Sequence, residues 1–253
     1  MHRFYVPPED FYEDQDNCKG ALLKGQEFIH LSRVLRLLPE QEVFVFDGLG
    51  REYVGKIITI HKDEALLSIK DSPFLPRESS LEVWLVQGIP KGEKMELIIQ
   101  KATELGVRGI IPLKAQRCVV KLEGKKEKER RNRWQKVALE AVKQCHRALI
   151  PTVMPASTMK EFLQGLPPKR HLLIPWEEGG SPFKEALKRV VGLQDSLPVY
   201  LIIGPEGGFA AEEVQQVQCC GAITVSLGPR ILRTETAGLA ALSALMFAWG
   251  DWI

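Results

Sequence analysis

The chain has 253 residues, of which 45% are hydrophobic and 26% are charged. This is the composition of an ordinary soluble globular protein, with room for one large domain or for a small and a medium one. The 34 lysines and arginines nearly balance the 32 aspartates and glutamates, so the net charge of +2 excludes any argument for a nucleic-acid partner that rests on total charge.

The cysteines and apolar segments indicate neither a disulfide framework nor a membrane anchor. The odd number of cysteines and the lack of a CxxC pair favour a reducing cytoplasm and no metal site; the cysteines are Cys18, Cys118, Cys145, Cys219 and Cys220. The N-terminus lacks the apolar core of a signal peptide. The longest apolar tract, residues 237–250, is shorter than the roughly 20 residues that a membrane span requires. We therefore expect a cytoplasmic protein.

The first seventy or so residues are typical of a small β-structure. Strand patterns occur at residues 42–46, 52–60 and 65–69, and Asp47-Gly48 is a hairpin signal. One helix is predicted among them, over residues 26–36. Its apolar side chains recur at helical spacing and its other face is basic; the apolar set is Phe28, Leu31, Val34 and Leu35, and the polar set is His30, Arg33 and Arg36. This pattern predicts a β-barrel or sandwich with an exposed basic helix face.

A linker is predicted at residues 71–80, which hold prolines and serines without periodicity. We place the domain boundary near residue 75, between domains 1–74 and 75–253. In the second domain strands alternate with helices, which implies an α/β fold with a mainly parallel sheet covered on both faces. The strands are at 81–86, 107–113, 171–174, 199–203 and 222–227, and the helices at 93–105, 127–148, 158–166, 182–191, 210–219 and 234–249.

Two turns of this second domain predict a ligand pocket. Gly-Pro-Glu-Gly-Gly at 204–208 and the segment 227–237 each join a strand to a helix, and a third strand ends at Pro175-Trp176-Glu177. Such junctions place a ligand at the carboxyl ends of neighbouring strands. Neither GxGxxG nor GxxxxGK[ST] is present, which disfavours a dinucleotide fold or a P-loop.

The second turn carries charges that helix capping does not require. Thr234 is predicted as the N-cap of the last helix, and Glu235 suits the helix dipole. Arg230 and Arg233 oppose that dipole, so we expect them to face an anionic group of a ligand.

Residues 203–209 and 227–238 resemble the SPOUT class of S-adenosylmethionine-dependent RNA methyltransferases. More narrowly, the chain is similar to the RsmE-type ribosomal RNA (uracil-N3) methyltransferases over nearly its whole length, including residues 1–6, 30–36, 46–50 and 90–107. The resemblance implies a PUA-like N-terminal β-barrel and an α/β domain whose C-terminal part, roughly 170–253, forms a deep trefoil knot. It also implies a homodimer with the C-terminal helix at the interface; close packing within one subunit explains the small residues at 237–244 equally well.

Carried over by position, the resemblance implies that the knot loops hold S-adenosylmethionine. The implied cofactor residues are Leu173, Ile174, Pro175, Glu177, Ile203, Gly204, Pro205, Glu206, Gly207, Gly208, Leu227, Gly228, Pro229, Ile231, Leu232, Arg233, Thr234, Thr236 and Ala237. The glycines let the backbone approach a flat ligand.

The chemistry implied is methylation of N3 of a uridine in 16S ribosomal RNA, within the small subunit. N3 must lose its proton, so the site needs a base and donors that stabilise the uracil anion. Arg233 is the candidate for that stabilisation, and Glu206 or Glu235 for the base; Glu206 serves equally well as a turn-stabilising side chain. Candidate RNA contacts are Arg3, Arg33, Arg36, Lys91, Lys94 and Arg147.

Two other functions remain open at this point. One is a SPOUT enzyme that methylates a ribose 2′-hydroxyl, which the PUA-like domain and residues 91–96 disfavour. The other is a catalytically inert RNA-binding or ribosome assembly factor, which the intact 204–208 and 233–238 segments disfavour.

Overall fold

A computed structural model describes residues 1–13, 19–71, 77–120, 122–191 and 197–252. The chain divides into two compact units. The first consists of Met1–Glu78 and Val142–Ile150, and the second of Ser79–Ala141 and Pro151–Ile253. The predicted boundary near residue 75 lies outside the described residues, as does Cys18. The sequence analysis did not predict that Val142–Ile150 belongs to the first unit. No local sequence pattern indicates which unit the end of a helix belongs to.

The first unit is built on one six-stranded sheet. Its strands are β1 Arg3–Tyr5, β2 Phe11–Glu13, β3 Lys19–Lys24, β4 Glu42–Phe46, β5 Glu52–Ile60 and β6 Glu64–Asp71. They are arranged as β1-β4-β5-β6-β3-β2, and all neighbours are antiparallel except β1 and β4. Alternate side chains enter one apolar core, in which Leu23, Ile57 and Leu67 are fully buried.

The three strands predicted in this unit are confirmed, whereas β1, β2 and β3 were not predicted. Two of them have only three residues, and β3 lacks a clear alternation of polar and apolar side chains. Among the described residues the strand pairings form an open path from β1 to β2, without the closing pair of the predicted barrel.

The helix predicted at 26–36 is interrupted. Helix α1 covers Gly25–Ile29, and a π-helical turn follows at His30–Val34. A π-helical turn holds more residues than an α-helical turn, so the apolar positions lose their α-helical register. Leu31 is therefore buried as predicted, whereas Val34 is 65% exposed. The apolar stripe predicted for an uninterrupted helix is therefore broken at Val34.

The described residues of the second unit form an eight-stranded sheet in which every pairing is parallel. The order is β10-β8-β7-β13-β11-β14-β12, with β9 beside β8. The elements are β7 Val83–Gly88, α2 Lys94–Glu104, β8 Gly109–Lys114, α3 Gly124–Cys145, β9 Thr152–Val153, β10 Ser157–Thr158, α4 Met159–Gln164, β11 His171–Pro175, β12 Ser181–Pro182, α5 Phe183–Val191, β13 Val199–Ile203, α6 Ala211–Cys219, β14 Ile223–Ser226 and α7 Thr234–Trp249.

Both faces of this sheet are covered, as predicted. Successive residues of β13 alternate between two apolar clusters: Leu201 packs with residues of α2, α3, α5 and α7, and Ile202 packs with residues of α4 and α6. A strand that is buried on both faces has apolar residues at successive positions, and β13 has such a sequence. The sheet therefore presents its ends, rather than a face, to a ligand.

Most predicted helices agree with the structure to within two residues, but α3 does not. It begins at Gly124 instead of residue 127 and ends at Cys145 instead of residue 148. His146 has a φ of 65°, a left-handed conformation that an α-helix cannot continue through. Among the described residues, no helix is long and apolar enough to cross a membrane.

Candidate active site

Three turns meet at the carboxyl-terminal end of the parallel sheet. Strand β11 pairs with β13 on one side and with β14 on the other, and all three run in the same direction. Their carboxyl ends therefore lie at the same end of the sheet, where the turn after each strand begins. The sequence predicted these turns at Pro175, at 204–208 and at 227–237, and the structure brings all three together.

The three turns enclose two adjoining cavities. The larger, of about 300 Å³, is lined by Lys94, Pro175, Glu177, Ile203, Gly204, Pro205, Glu206, Gly208, Phe209, Ile231, Leu232, Arg233, Thr234 and Ala237. The smaller, of about 220 Å³, is lined by Pro175, Trp176, Glu177, Ser226, Leu227, Gly228, Pro229, Arg230, Ile231, Leu232 and Ala237. The shared lining residues make these cavities one continuous cleft.

Most of the cofactor residues predicted from the sequence line this cleft, and four do not. Leu173 and Ile174 are fully buried in the two apolar clusters of the sheet. The carbonyl oxygen of Gly207 accepts a hydrogen bond from Arg117 at 3.1 Å. Thr236 is exposed on α7. For these four residues the structure shows a packing or surface position, and a role in the cleft remains a prediction.

Several lining residues were not predicted as cofactor residues. Phe209 and Ser226 directly flank the predicted turns, so extending each turn by one residue would have included them, and Trp176 lies between the predicted residues Pro175 and Glu177. Lys94 was predicted as an RNA contact, yet it lines the larger cavity. No local motif places Lys94 there, because it comes from α2, which is far from all three turns in the sequence.

A buried hydrogen-bond chain connects two of the turns below the cleft. The Thr234 hydroxyl donates to the carbonyl oxygen of Gly204 at 2.5 Å and accepts from the Gln87 side-chain amide at 2.8 Å. The N-cap of α7 is Arg233, and it makes no side-chain capping bond. Prediction of Thr234 as the N-cap was therefore wrong: its hydroxyl joins the turns instead of satisfying the helix end. Gln87, fully buried, was missed because one glutamine in an apolar strand carries no motif.

Glycines allow the turns to pack this closely. A Cβ atom on Gly88 would lie 2.5 Å from the backbone nitrogen of Pro205, so the end of β7 tolerates no side chain there. Gly208 has a φ of 67°, and a Cβ there would lie 2.6 Å from Oε1 of Glu177. The Glu177 carboxylate thus lies where another residue would place its side chain.

Glu206 is held at the rim of the cleft by several donors. Its carboxylate accepts hydrogen bonds from the backbone N–H of Lys91 at 3.2 and 3.3 Å, and Oε1 lies 3.1 Å from Nζ of Lys94. The same ammonium lies 3.3 Å from Oε2 of Glu235, a buried oxygen with no hydrogen bond of good geometry among the described residues. One lysine therefore contacts a carboxylate from each of two turns.

These contacts decide the charge of Glu206. Burial acts to raise the pKa of its carboxyl group, but hydrogen bonds from its own backbone N–H, from Lys94 and from Lys91 outweigh that effect and leave the pKa below its usual value. The opposing carboxylate raises the pKa of Lys94 through a hydrogen bond that outweighs desolvation. The pair is therefore ionised at neutral pH, and Glu206 is a weak base.

Arg230 and Arg233 are exposed at the cleft. In the part of the chain that the structure describes, neither guanidinium group makes a hydrogen bond or an ion pair. Five N–H donors of each side chain are thus available to a ligand. That they face an anionic group of a ligand remains a prediction.

Two of the predicted RNA contacts are buried in the first unit. Arg3 donates to Glu52 at 2.7 Å and to the carbonyl oxygen of Arg147 at 2.7 Å. Arg147 is 5% exposed and its guanidinium group donates to Glu78 at 3.0 and 2.8 Å. Prediction of RNA contacts at Arg3 and Arg147 does not agree with this burial, because both guanidinium groups are already paired.

The other predicted RNA contacts are accessible. Arg33 and Arg36 are exposed beside the π-helical turn, and Lys91 is exposed before α2. Arg36 has a φ of 52°, an uncommon conformation for a residue with a side chain. Their role in RNA binding remains a prediction. Among the described residues, no group of three or more histidine, cysteine, aspartate or glutamate side chains is arranged to hold a metal ion.

Comparison with known families gives two matches. Residues 77–246 match a model described as an RNA methyltransferase domain, and residues 23–70 match one described as an RNA methyltransferase PUA domain. A protein from Bacillus subtilis named Ribosomal RNA small subunit methyltransferase E is 35% identical over 98% of this chain and 96% of its own length. A protein of the same name from Mycobacterium tuberculosis is 31% identical over 96% and 92%.

Solved structures agree with these matches. The structure of a Ribosomal RNA small subunit methyltransferase E from Neisseria gonorrhoeae, bound to S-adenosyl methionine, has a TM-score of 0.85 and 33% identity over 100% of both chains. A putative methyltransferase from Legionella pneumophila, in complex with the bound cofactor SAM, has a TM-score of 0.79 and 32% identity over 99% of both chains.

Proposed function

Because this chain belongs to the family of ribosomal RNA small subunit methyltransferases E, we propose that it transfers a methyl group from S-adenosylmethionine to N3 of a uridine in 16S ribosomal RNA. The observation that carries this proposal is the cleft between the turns after β11, β13 and β14, with two unpaired arginines at its edge. Relatives that match along their whole length bind this cofactor.

The cleft fits a cofactor of this size and polarity. Its cavities of about 300 and 220 Å³ together fall in the range of small-molecule sites. Gly204 and Gly208 expose backbone to the ligand, Ile231 and Leu232 provide apolar surface, and Glu177 and Glu206 provide negative charge for a cationic ligand. When bound, the cofactor supplies an electrophilic methyl group on a cationic sulfur.

The protein must prepare the acceptor. Uracil N3 lies between two carbonyl groups, and removing its proton spreads negative charge over both oxygens. Arg233 donates hydrogen bonds to that charge, with Arg230 beside it. Glu206 and Glu235 are the two proposed bases: Glu206 accepts hydrogen bonds from Lys91 and Lys94, and Oε2 of Glu235 lies 3.3 Å from the same ammonium group.

RNA binding is assigned to the exposed basic residues of each unit. In the first unit these are Arg33 and Arg36, and in the second Lys91. The first unit matches the PUA description, and an exposed basic face is the electrostatic pattern expected for contacts to the phosphate backbone. With a ribosomal subunit as its substrate, the protein acts in the cytoplasm.

A trefoil knot and a homodimer complete the proposal. The knot is proposed for roughly residues 170–253, and membership of the family supports it. Dimerisation is supported by α7, whose outward side exposes Ala240 and Phe247, the latter by 74%. Phe247 is therefore the residue of α7 that we propose to contact a second subunit.

A methyl-transfer assay tests the reaction. The purified protein is incubated with tritiated S-adenosylmethionine and either free 16S ribosomal RNA or intact small subunits, and the labelled nucleoside is identified. We expect 3-methyluridine. A labelled 2′-O-methylnucleoside would indicate the ribose methyltransferase, and RNA binding without transfer on either substrate would indicate an inert assembly factor; either result would contradict the proposal.

A further inference from the structure

Lys94 makes contacts that the sequence did not predict for it. It is the first residue of α2, and its ammonium group lies 3.1 Å from Oε1 of Glu206 and 3.3 Å from Oε2 of Glu235. Glu206 belongs to the turn after β13, and Glu235 to the first turn of α7. A third segment of the chain therefore holds two walls of the cleft through a single charged atom.

These contacts differ from those of an RNA-binding lysine. A phosphate contact needs an ammonium group that faces solvent without a carboxylate partner, as Lys91 shows three residues earlier. The side chain of Lys94 is 35% exposed, and its two carboxylate partners are 29% and 17% exposed. Its charge is thus directed into the protein and neutralised there.

The two carboxylates need a cation between them. Both lie within 3.3 Å of the same nitrogen atom, so they are close neighbours in a partly buried site. Like charges at such a separation repel each other, and burial strengthens that repulsion. Without the ammonium group, one carboxylate would turn away or take up a proton, and the turn that carries Glu206, a lining residue of the larger cavity, would lose its ionic contact with α2.

We propose that Lys94 is a positioning residue of the cofactor cleft, which holds the Glu206 turn against the start of α7 before any RNA binds. This inference rests on the proposed function. Lys94, Glu206 and Glu235 together carry one net negative charge at the rim. At the base of the cleft, the hydrogen bond from Thr234 to Gly204 already joins the turn after β13 to the start of α7. Lys94 joins the same two segments a second time, at the rim.

Cofactor affinity measured without RNA tests this proposal. Calorimetric titration with S-adenosylmethionine and with S-adenosylhomocysteine compares the wild-type protein with Lys94→Met and Lys94→Arg. Two partly exposed ion pairs correspond to a loss of roughly fivefold to tenfold in affinity. We expect Lys94→Met to bind both compounds more weakly by that factor and Lys94→Arg, which keeps the charge, to recover most of the loss.

Lys101→Met is the matched control. Lys101 lies on the same helix and pairs with Glu104 at 2.8 Å, away from the cleft. This variant removes an identical charge and should leave cofactor affinity unchanged. The urea midpoint of each variant confirms that it is folded and that a change in affinity is local.

The salt dependence of RNA binding separates the two roles of Lys94. A phosphate contact would make the slope of log affinity against log salt about one unit shallower in Lys94→Met. We expect an unchanged slope. A shallower slope in Lys94→Met with unchanged cofactor affinity would overturn the inference and leave the proposed function intact. A wild-type protein that binds no cofactor would overturn both the proposed function and this inference.

Discussion

The hydroxyl group of Thr234 donates a hydrogen bond to the carbonyl oxygen of Gly204, and these residues belong to turns that follow two different strands. The bond is short, at 2.5 Å, and the Gln87 amide completes the network from a fully buried position at the end of β7. Two walls of the cleft are therefore joined to the sheet itself. A displacement of either wall breaks a buried hydrogen bond, which makes the cleft rigid at its base.

Replacing Thr234 with valine should destabilise the second unit. Valine has the same shape but no hydroxyl group, so the Gly204 carbonyl loses this donor, while the Gln87 amide loses one acceptor and keeps its bond to the carbonyl oxygen of Gly88. A buried polar group without a partner costs about 1–3 kcal/mol. The free energy of unfolding in urea measures this change. Thr234→Ser keeps the hydroxyl group and should lose much less; equal losses in both variants would contradict the role of the hydrogen bond.

Replacing Arg233 with alanine should slow methyl transfer even at saturating cofactor. Removing one donor to a developing anion reduces the rate about 100-fold to 1,000-fold. Single-turnover transfer measures the rate, and calorimetry measures cofactor affinity. Arg108→Ala, an exposed arginine before β8, is the control for loss of charge. Normal single-turnover transfer in Arg233→Ala would exclude Arg233 as the group that stabilises the uracil anion.

Replacing Arg147 with methionine should destabilise the first unit. Glu78 accepts hydrogen bonds from Arg147 and from the backbone N–H groups of Ala148 and Leu149. Removing one partner of a buried ion pair costs about 3–5 kcal/mol, which urea unfolding measures. Arg36→Met, at an exposed arginine of the same unit, should instead weaken RNA binding and preserve stability. Weaker RNA binding with normal stability in Arg147→Met would restore the RNA contact predicted from sequence.

The lowered pKa of Glu206 predicts a loss of stability in acid. Its contribution to folding is fully present above the unfolded-state pKa, which the reference value of 4.5 approximates, and disappears as the pH falls through the lower pKa of the folded protein. Glu206→Gln cannot lose this contribution. We therefore expect the free energy of unfolding of the wild-type protein to fall more steeply below about pH 4.5 than that of Glu206→Gln. If the free energy of unfolding fell equally with pH in both proteins, the contacts of Glu206 with Lys91 and Lys94 would not favour its ionised form.

Replacing Phe247 with glutamate should dissociate the proposed homodimer. A charge in the centre of an apolar interface loses its hydration without gaining a partner. Sedimentation velocity measures the change from dimer to monomer. Val119→Glu adds the same charge to another exposed apolar residue of this unit, which is 67% exposed, and should leave the dimer intact. A Phe247→Glu protein that remains dimeric would place the interface away from this side of α7.

Sequence patterns predicted the fold best for helices and strands in which burial produces a regular spacing of apolar residues. The strands of the parallel sheet appear as continuous apolar runs, and α2, α6 and α7 were located to within two residues, because each buries a stripe or a whole surface. The predictions were wrong where the backbone departs from regular geometry. The π-helical turn at His30–Val34 moved Val34 into solvent, and the left-handed His146 ended α3 early.

The sequence by itself determined which turns form the cleft, since glycine, proline and charged residues follow strands at 204–208 and 227–237 and a strand end is a local property. It also determined the family, through motifs spread along the chain. Only the tertiary structure decided which partner each charged side chain meets. Lys94 faces two carboxylates and Arg147 faces Glu78, because pairing depends on the distance between segments that are far apart in sequence. Charge alone does not distinguish a lysine that binds RNA from one that positions a cofactor cleft.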